Sequence, residues 1–288
     1  MVPKGRLLII GGAEERSGSD QDRREQKIQC EPFEILKNVL PDGEKGERIE
    51  VITAASSSPE DMREIYAKSF KEIGFKDIGF IHIDDSNKAH AKKYYKRIAE
   101  SKAVFFTGGD QLRLSTIVSG TELTEILIEK YLHEKGFTVA GTSAGAMAIP
   151  RLMICGGGIT EALMGSDLNI ASGLGFLDNC IVDTHFIKRG RFSRLAHAVI
   201  INPGNLGLGL GENTALAIAQ GKNAVCIGSG MVVLIDGSEI QRSNISDAEA
   251  GSPVYVENLK VHLLTQHYKL NLETKEMEPP ASRSSQAN

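Results

Sequence analysis

VAGTSAGAMA (139–148) is an apolar strand ending that runs into a turn in which Gly141, Ala144, Gly145 and Ala146 crowd a single serine, Ser143. Residues 141–145 read G-x-S-x-G, the spacing of a nucleophile elbow. There a sharp strand-to-helix turn holds the serine in a strained conformation, so its close neighbours must be tiny. The hydroxyl then stands at the carboxyl end of a strand, over a helix N-terminus. The competing expectation is a plain tight turn whose serine caps the helix.

Working outward, apolar runs that read as buried strands alternate with helical segments. Residues 6–10 are closed by Gly11-Gly12, and 49–54 lead into Ser58-Pro59-Glu60, a helix start with proline near its first turn. Residues 76–83 precede a charged helix, 103–106 end in Thr107-Gly108-Gly109-Asp110, and 137–140 feed the elbow. Strand–helix alternation predicts a mostly parallel sheet sandwiched by helices, an α/β fold with its ligand site beyond the carboxyl strand ends. Both glycine turns and Ser143 fall at such ends. After residue 181 the texture changes. Residues 181–185 end a strand, 190–201 are helical, and 206–218, 224–227 and 231–235 are β-rich runs separated by glycine. These predict added C-terminal antiparallel strands that extend the sheet or pack beside it. The chain reads as one α/β domain over 1–278, with a charged loop at 13–26 and a polar flexible tail at 279–288.

Composition narrows the function. With 33 basic and 37 acidic residues the net charge is −4, which gives no bulk attraction to nucleic acid or membrane surfaces. No stretch approaches the about 18 apolar residues of a membrane helix, and residues 1–12 read as a first buried strand rather than a leader. Four cysteines without a C-x-x-C pair favour neither a disulfide framework nor a metal site, so a cytoplasmic protein without a cofactor or metal is expected.

A serine nucleophile needs a base, and of the seven histidines only His185 combines a strand end with other functional groups. Glu161, Asp167, Asp178 and Asp183 all lie between Ser143 and His185 as candidates for the acid that orients the imidazole, and spacing does not choose among them. The backbone N–H of Ala144 supplies one oxyanion donor, and the Gly108-Gly109 turn is placed to supply a second. Neither glycine turn has the G-x-x-x-x-G-K-[ST] pattern of a nucleotide loop. Lys188, Arg189, Arg191 and Arg194 follow within nine residues of His185. Guanidinium forks suit carboxylates, which points to a carboxylate-bearing substrate.

TGGDQLRL (107–114), GTSAGA (141–146), GLGFL (173–177) and DTHFIKRGRFSRL (183–195), with IIGGAEE (9–15) and GLGENTAL (209–216), resemble the cyanophycinase family. These are serine peptidases related to dipeptidase E, with a class I glutamine-amidotransferase-like fold. The resemblance runs from about residue 5 to residue 235. It implies a triad of Ser143, His185 and Glu161, an oxyanion hole of Gly109 and Ala144, and a substrate pocket shaped by Gln111, Asp183, Thr184, Arg189, Arg191 and Arg194. Thr184 stands where the family often has glutamine. The implied reaction is exopeptidase cleavage of cyanophycin, a polyaspartate chain bearing arginine on each β-carboxylate, to β-aspartyl-arginine by a homodimer without a metal. Asp183 or Asp110 would meet the substrate guanidinium. The alternatives are a dipeptidase-E-like enzyme for short aspartyl peptides and a non-catalytic binding protein on the same scaffold.

Overall fold

The apolar runs of the N-terminal half become five parallel strands in the computed structural model, which describes residues 1–17, 31–41, 46–86, 90, 92–157 and 163–280. They are β1 (Arg6–Ile10), β2 (Arg48–Ile52), β3 (Asp77–Ile81), β4 (Ala103–Phe106) and β5 (Thr138–Thr142). Their order across the sheet is β1-β5-β4-β2-β3. β4 and β5 are buried at every residue, as strands covered on both faces must be. The connections hold helices α1 (Glu34–Lys37), α2 (Pro59–Ile73), α3 (Lys92–Glu100), α4 (Gln111–Val118) and α5 (Glu122–His133). Proline opens α2, and Gly74 closes it at φ 100°, a left-handed conformation that glycine adopts without a steric penalty.

Beyond the elbow come α6 (Ala144–Ala148), β6 (Pro150–Gly157), β7 (Leu168–Ser172), β8 (Leu177–Asp183) and α7 (Phe192–Ile201). They are followed by β9 (Leu206–Leu210), β10 (Thr214–Ala219), β11 (Asn223–Gly228) and β12 (Met231–Asp236). The last strands are β13 (Arg242–Ser243), β14 (Val256–Glu257), β15 (Lys260–Thr265), β16 (Lys269–Asn271) and β17 (Met277–Glu278). The C-terminal strands do both things the sequence allowed. β10, β11, β16 and β17 extend the main sheet antiparallel from β1. A second sheet has the order β15-β12-β9-β8-β6-β7.

The run at 206–218 is therefore two strands in two sheets. The chain crosses from β9 to β10 through Gly211-Glu212-Asn213, where Gly211 N–H donates to Met231 O at 3.0 Å and Gly11 N–H to Thr214 O at 2.8 Å.

Alternation along the strands sorts the core. Leu7, Ile9 and Val139 pack with Leu208, Leu210, Val182 and Leu234 of the second sheet and with Leu114 and Leu127 from α4 and α5. Leu8, Ile10, Val51 and Phe105 face the other way, beneath Tyr66 and Phe70 of α2. Ile181 and Ile235 meet Leu195 and Val199 of α7 on the outer face of the second sheet. Among the described residues, no helix is long and apolar enough to cross a membrane. Of the loop expected at 13–26, residues 18–26 lie outside the described residues, as do Glu161 and residues 281–288 of the tail.

Candidate active site

The elbow has the geometry its composition requires. Ser143 sits at φ 52° and ψ −117°, a conformation rare for a residue with a side chain and costing about 1–3 kcal/mol. A Cβ on Gly145 would lie 2.4 Å from Phe106 O, and one on Gly141 2.6 Å from the Gly145 carbonyl carbon. Any side chain at either position would push α6 off β4 and β5. Ser143 N–H donates to Ile10 O at 3.0 Å, which ties the turn to the end of β1. The Ser143 side chain makes no capping bond, so the capping alternative is set aside.

The hydroxyl instead faces His185, with Oγ 2.9 Å from Nε2. His185 lies two residues beyond β8 at φ 49°, and its N–H donates to Gly11 O at 2.8 Å. The ring lies against Gly12, where a Cβ would come within 2.4 Å of Nε2. The Gly11-Gly12 turn is thus a seat for the imidazole, a role its sequence did not announce.

On the far side of the ring, His185 Nδ1 lies 2.7 Å from Glu212 Oε1. Lys188 Nζ donates to the other carboxylate oxygen at 3.0 Å. Burial opposes the charged form of Glu212, but the hydrogen bonds from His185 and Lys188 outweigh it and hold the carboxyl below its ordinary value. An ionised carboxylate only accepts, so Nδ1 carries the imidazole hydrogen and Nε2 is left to accept from Ser143.

The described residues thus give the imidazole an acidic partner other than the expected Glu161. Nδ1 bears one hydrogen and Glu212 accepts it, so the geometry assigns the orienting role to Glu212, while Glu161 lies outside the described residues. A search between serine and histidine misses Glu212, which follows the histidine. The available signal was Gly211-Glu212-Asn213, turn-forming residues inside a β-rich run.

The expected oxyanion residues lie on the turns beside the serine. Ala144 opens α6, where the first N–H groups have no intrahelical acceptor. The Gly108-Gly109 turn passes directly over the serine, since a Cβ on Gly108 would be 3.8 Å from Ser143 Oγ. Gly109 has φ 144° and lies against Ala55, so no side chain fits there.

The expected substrate residues divide differently. Asp183 is fully buried and receives Arg194 Nε and Nη2 at 2.5 Å each and Arg191 Nη1 at 3.0 Å. Arg194 is itself buried, and Arg191 also donates to Thr184 O at 2.9 Å. Asp183, Arg191 and Arg194, expected to meet substrate, are brought together here. They form an ion-pair cluster, with Asp183 and Arg194 buried and Arg191 partly exposed, that fastens the segment after β8 to the start of α7. A charge removed from water needs such partners. Thr184 is buried too, and its Oγ1 has no hydrogen-bond partner among the described residues. Gln111 Nε2 donates to Ile154 O at 3.0 Å, pinning α4 to β6. Asp110 Oδ1 caps α4, accepting from Leu112 and Arg113 N–H at 2.8 and 3.0 Å. Of the three expected arginines, Arg189 keeps an exposed side chain, with its N–H bonded to His185 O at 2.9 Å.

Ser143 and His185 open into a cleft of about 380 Å³ whose other walls include Arg16, Asp61, Tyr66 and Gly108. A larger cavity of about 510 Å³, lined by Pro3, Tyr131, Asp178 and Lys222, contains none of the expected site residues. Among the described residues, no group of His, Cys, Asp and Glu is arranged to hold a metal ion.

Known proteins resemble this chain over most of its length. The model of peptidase family S51 matches residues 17–226, a span that includes Ser143, His185 and Glu212. A cyanophycinase of Synechococcus elongatus is 30% identical over 275 residues, covering 96% of this chain and 81% of that protein. One from Nostoc sp. (strain PCC 7120) is 31% identical over 98% of this chain and 90% of its own length. One from Geminocystis herdmanii is 32% identical over 93% of this chain and 94% of its own. The crystal structure of a peptidase from an acI-B1 Actinobacterium shares the fold, with a TM-score of 0.65 at 19% identity over 93% of this chain and 97% of that one.

Proposed function

The chain belongs to peptidase family S51 and is a serine-type peptidase; from that premise we propose that it is an exopeptidase that cleaves cyanophycin to β-aspartyl-arginine through an acyl-enzyme on Ser143. The observation that carries the mechanism is the continuous relay from Ser143 Oγ through His185 to Glu212, with both hydrogen bonds already short. His185 Nε2 takes the Ser143 proton as Oγ attacks a backbone aspartyl carbonyl. Glu212 stabilises the imidazolium, and the N–H groups of Ala144 and Gly109 receive the developing oxyanion. His185 then protonates the leaving amine. Water, deprotonated by the same imidazole, hydrolyses the acyl-enzyme.

The cyanophycin specificity rests on the relatives' names and on the motifs shared with them. The homodimer implied by the resemblance and the cytoplasmic location expected from the cysteine usage belong to the same proposal. One observation favours a second reading, an enzyme for short β-aspartyl peptides. Arg191 and Arg194 are engaged by Asp183, so two of the arginines expected to hold polymer carboxylates already have a counter-charge within the chain.

One experiment separates the readings. Purified protein and its Ser143→Ala variant are added to a cyanophycin suspension, and turbidity and product masses are followed. Clearing by the unmodified chain alone, with β-aspartyl-arginine released, supports the polymer reading. No clearing, but cleavage of a β-aspartyl tripeptide, moves the assignment to short peptides. If neither substrate is cut, the proposal fails.

A further inference from the structure

Glu14 is a buried acid that the relay through Glu212 does not use. Its side chain is shut off from solvent beneath the site, and its carboxylate accepts from Tyr66 Oη at 2.6 Å and from Thr142 Oγ1 at 2.6 Å. Thr142 immediately precedes the nucleophile. The remaining contact is with Arg16, whose Nε and Nη2 both lie 3.1 Å from Glu14 Oε1. Arg16 is held in two further ways. Its guanidinium lies over the Tyr66 ring, 5.2 Å from the centroid, and its carbonyl accepts from Ser69 Oγ at 2.8 Å. The charge of Glu14, above all, keeps the guanidinium protonated far beyond the working range of pH.

A carboxylate and a tyrosine buried to fix one arginine are an expensive arrangement unless the arginine has a task. Its side chain is 32% exposed, and it lines the same cleft as Ser143 and His185. A guanidinium has five N–H donors in a rigid fork, and Glu14 engages one edge of it. A fixed fork loses little side-chain freedom when it binds, and its planar geometry matches a carboxylate. Among the described residues that line this cleft, Arg16 and Asp61 carry the fixed charges, His185 aside. Asp61 would repel a carboxylate but suits a guanidinium on the same ligand.

We infer that Arg16, held by Glu14 and Tyr66, is the carboxylate-binding residue of the cleft and takes a free carboxylate of an aspartyl peptide seated beside Ser143. The identity of the ligand rests on the proposed function. The arginines expected to do this work, Arg191 and Arg194, are paired with Asp183 and do not line the cleft, whereas Arg16 does.

Binding tests this without turnover. In the Ser143→Ala chain, calorimetry measures the affinity for β-aspartyl-arginine and for its dicarboxamide, which keeps the guanidinium and removes both negative charges. Arg16→Gln in that background is expected to weaken the dicarboxylate by about tenfold to a hundredfold, the range of a charge-assisted hydrogen bond, and the dicarboxamide by less than about threefold. Arg16→Lys, which keeps the charge without the fork, should fall between for the dicarboxylate. It carries the test if melting shows that Arg16→Gln does not fold. Equal weakening of both ligands would make Arg16 structural and overturn the inference, as would unchanged affinity or no binding of β-aspartyl-arginine to the Ser143→Ala chain. Labelling of the unmodified chain by a fluorophosphonate reads the nucleophile separately. Labelling at Ser143 with no carboxylate selectivity removes Arg16 alone, whereas absent labelling removes the peptidase mechanism.

Discussion

At the scale of single residues, the site is defined by which hydrogen each atom holds. Glu212 fixes the imidazole hydrogen on Nδ1, so replacing it with glutamine lets the amide favour the wrong tautomer while the shape is kept. Glu212→Gln is expected to lower kcat by about 10³- to 10⁴-fold with little change in KM, the loss expected when an orienting acid is neutralised. Glu161→Gln should cost less than about tenfold, because the Nδ1 hydrogen already has its acceptor. Steady-state kinetics on a β-aspartyl peptide compares the two, and the reverse ranking would restore Glu161 as the orienting acid. Ser143 and His185 were legible because each carries a local signature, tiny neighbours for one and a strand end for the other. The acid has no such signature. Its carboxylate comes from a corner whose partner lies 27 residues away in sequence, and only the meeting of two sheets brings them together.

Whole elements show where legibility stops. The parallel strands were readable from their apolar runs because burial on both faces leaves nothing else to read, and the elbow was readable because close packing of α6 on β4 and β5 forbids side chains. Gly145→Ala tests that packing. A Cβ there meets Phe106 O at 2.4 Å, so the helix must shift. The expected outcome is a loss of about 1–3 kcal/mol in stability, as for other overpacked interiors, with turnover falling further than stability because Ser143 moves too. Denaturant unfolding and kinetics on the same sample check both. The ion pairs of the basic segment 188–194 were not legible, for a physical reason. Arginines on a strand-to-helix connection look the same in sequence whether they face solvent or a buried aspartate, and Asp183 lies inside the core. Asp183→Asn should therefore destabilise the fold by about 3–5 kcal/mol, since it leaves Arg194 charged and buried without its partner. Loss of substrate affinity in a fully stable variant would instead return Asp183 to the substrate pocket. The run at 206–218 shows the same limit, because β periodicity does not report that the chain changes sheets at Gly211.

For the molecule as a whole, the buried acids set how it responds to pH. Burial alone would raise the Glu14 carboxyl, but the charge of Arg16 and the hydrogen bonds from Thr142 and Tyr66 prevail and hold it below the ordinary glutamate value of 4.5. The same surroundings push the Tyr66 hydroxyl well up, through burial first and the Glu14 charge second. A carboxyl with a depressed value in the folded state binds its proton more readily when the chain unfolds. Its contribution to stability is therefore complete above 4.5 and is lost as pH falls from there through the lower folded value. Glu212, also depressed, has the same sign but is less buried, so solvent and salt reduce its share. Glu14→Gln removes the titrating group while keeping a hydrogen-bonding side chain. The variant should be less stable than the unmodified chain at pH 7, because Arg16 loses its counter-charge, and the gap should narrow as pH drops below about 4.5. Urea unfolding at pH 7, 5, 4 and 3 measures this directly. A gap that stayed constant over that range would mean that Glu14 does not titrate differently in the folded and unfolded chain. Its two hydrogen bonds to Tyr66 and Thr142 would then stabilise the fold without any contribution from its charge.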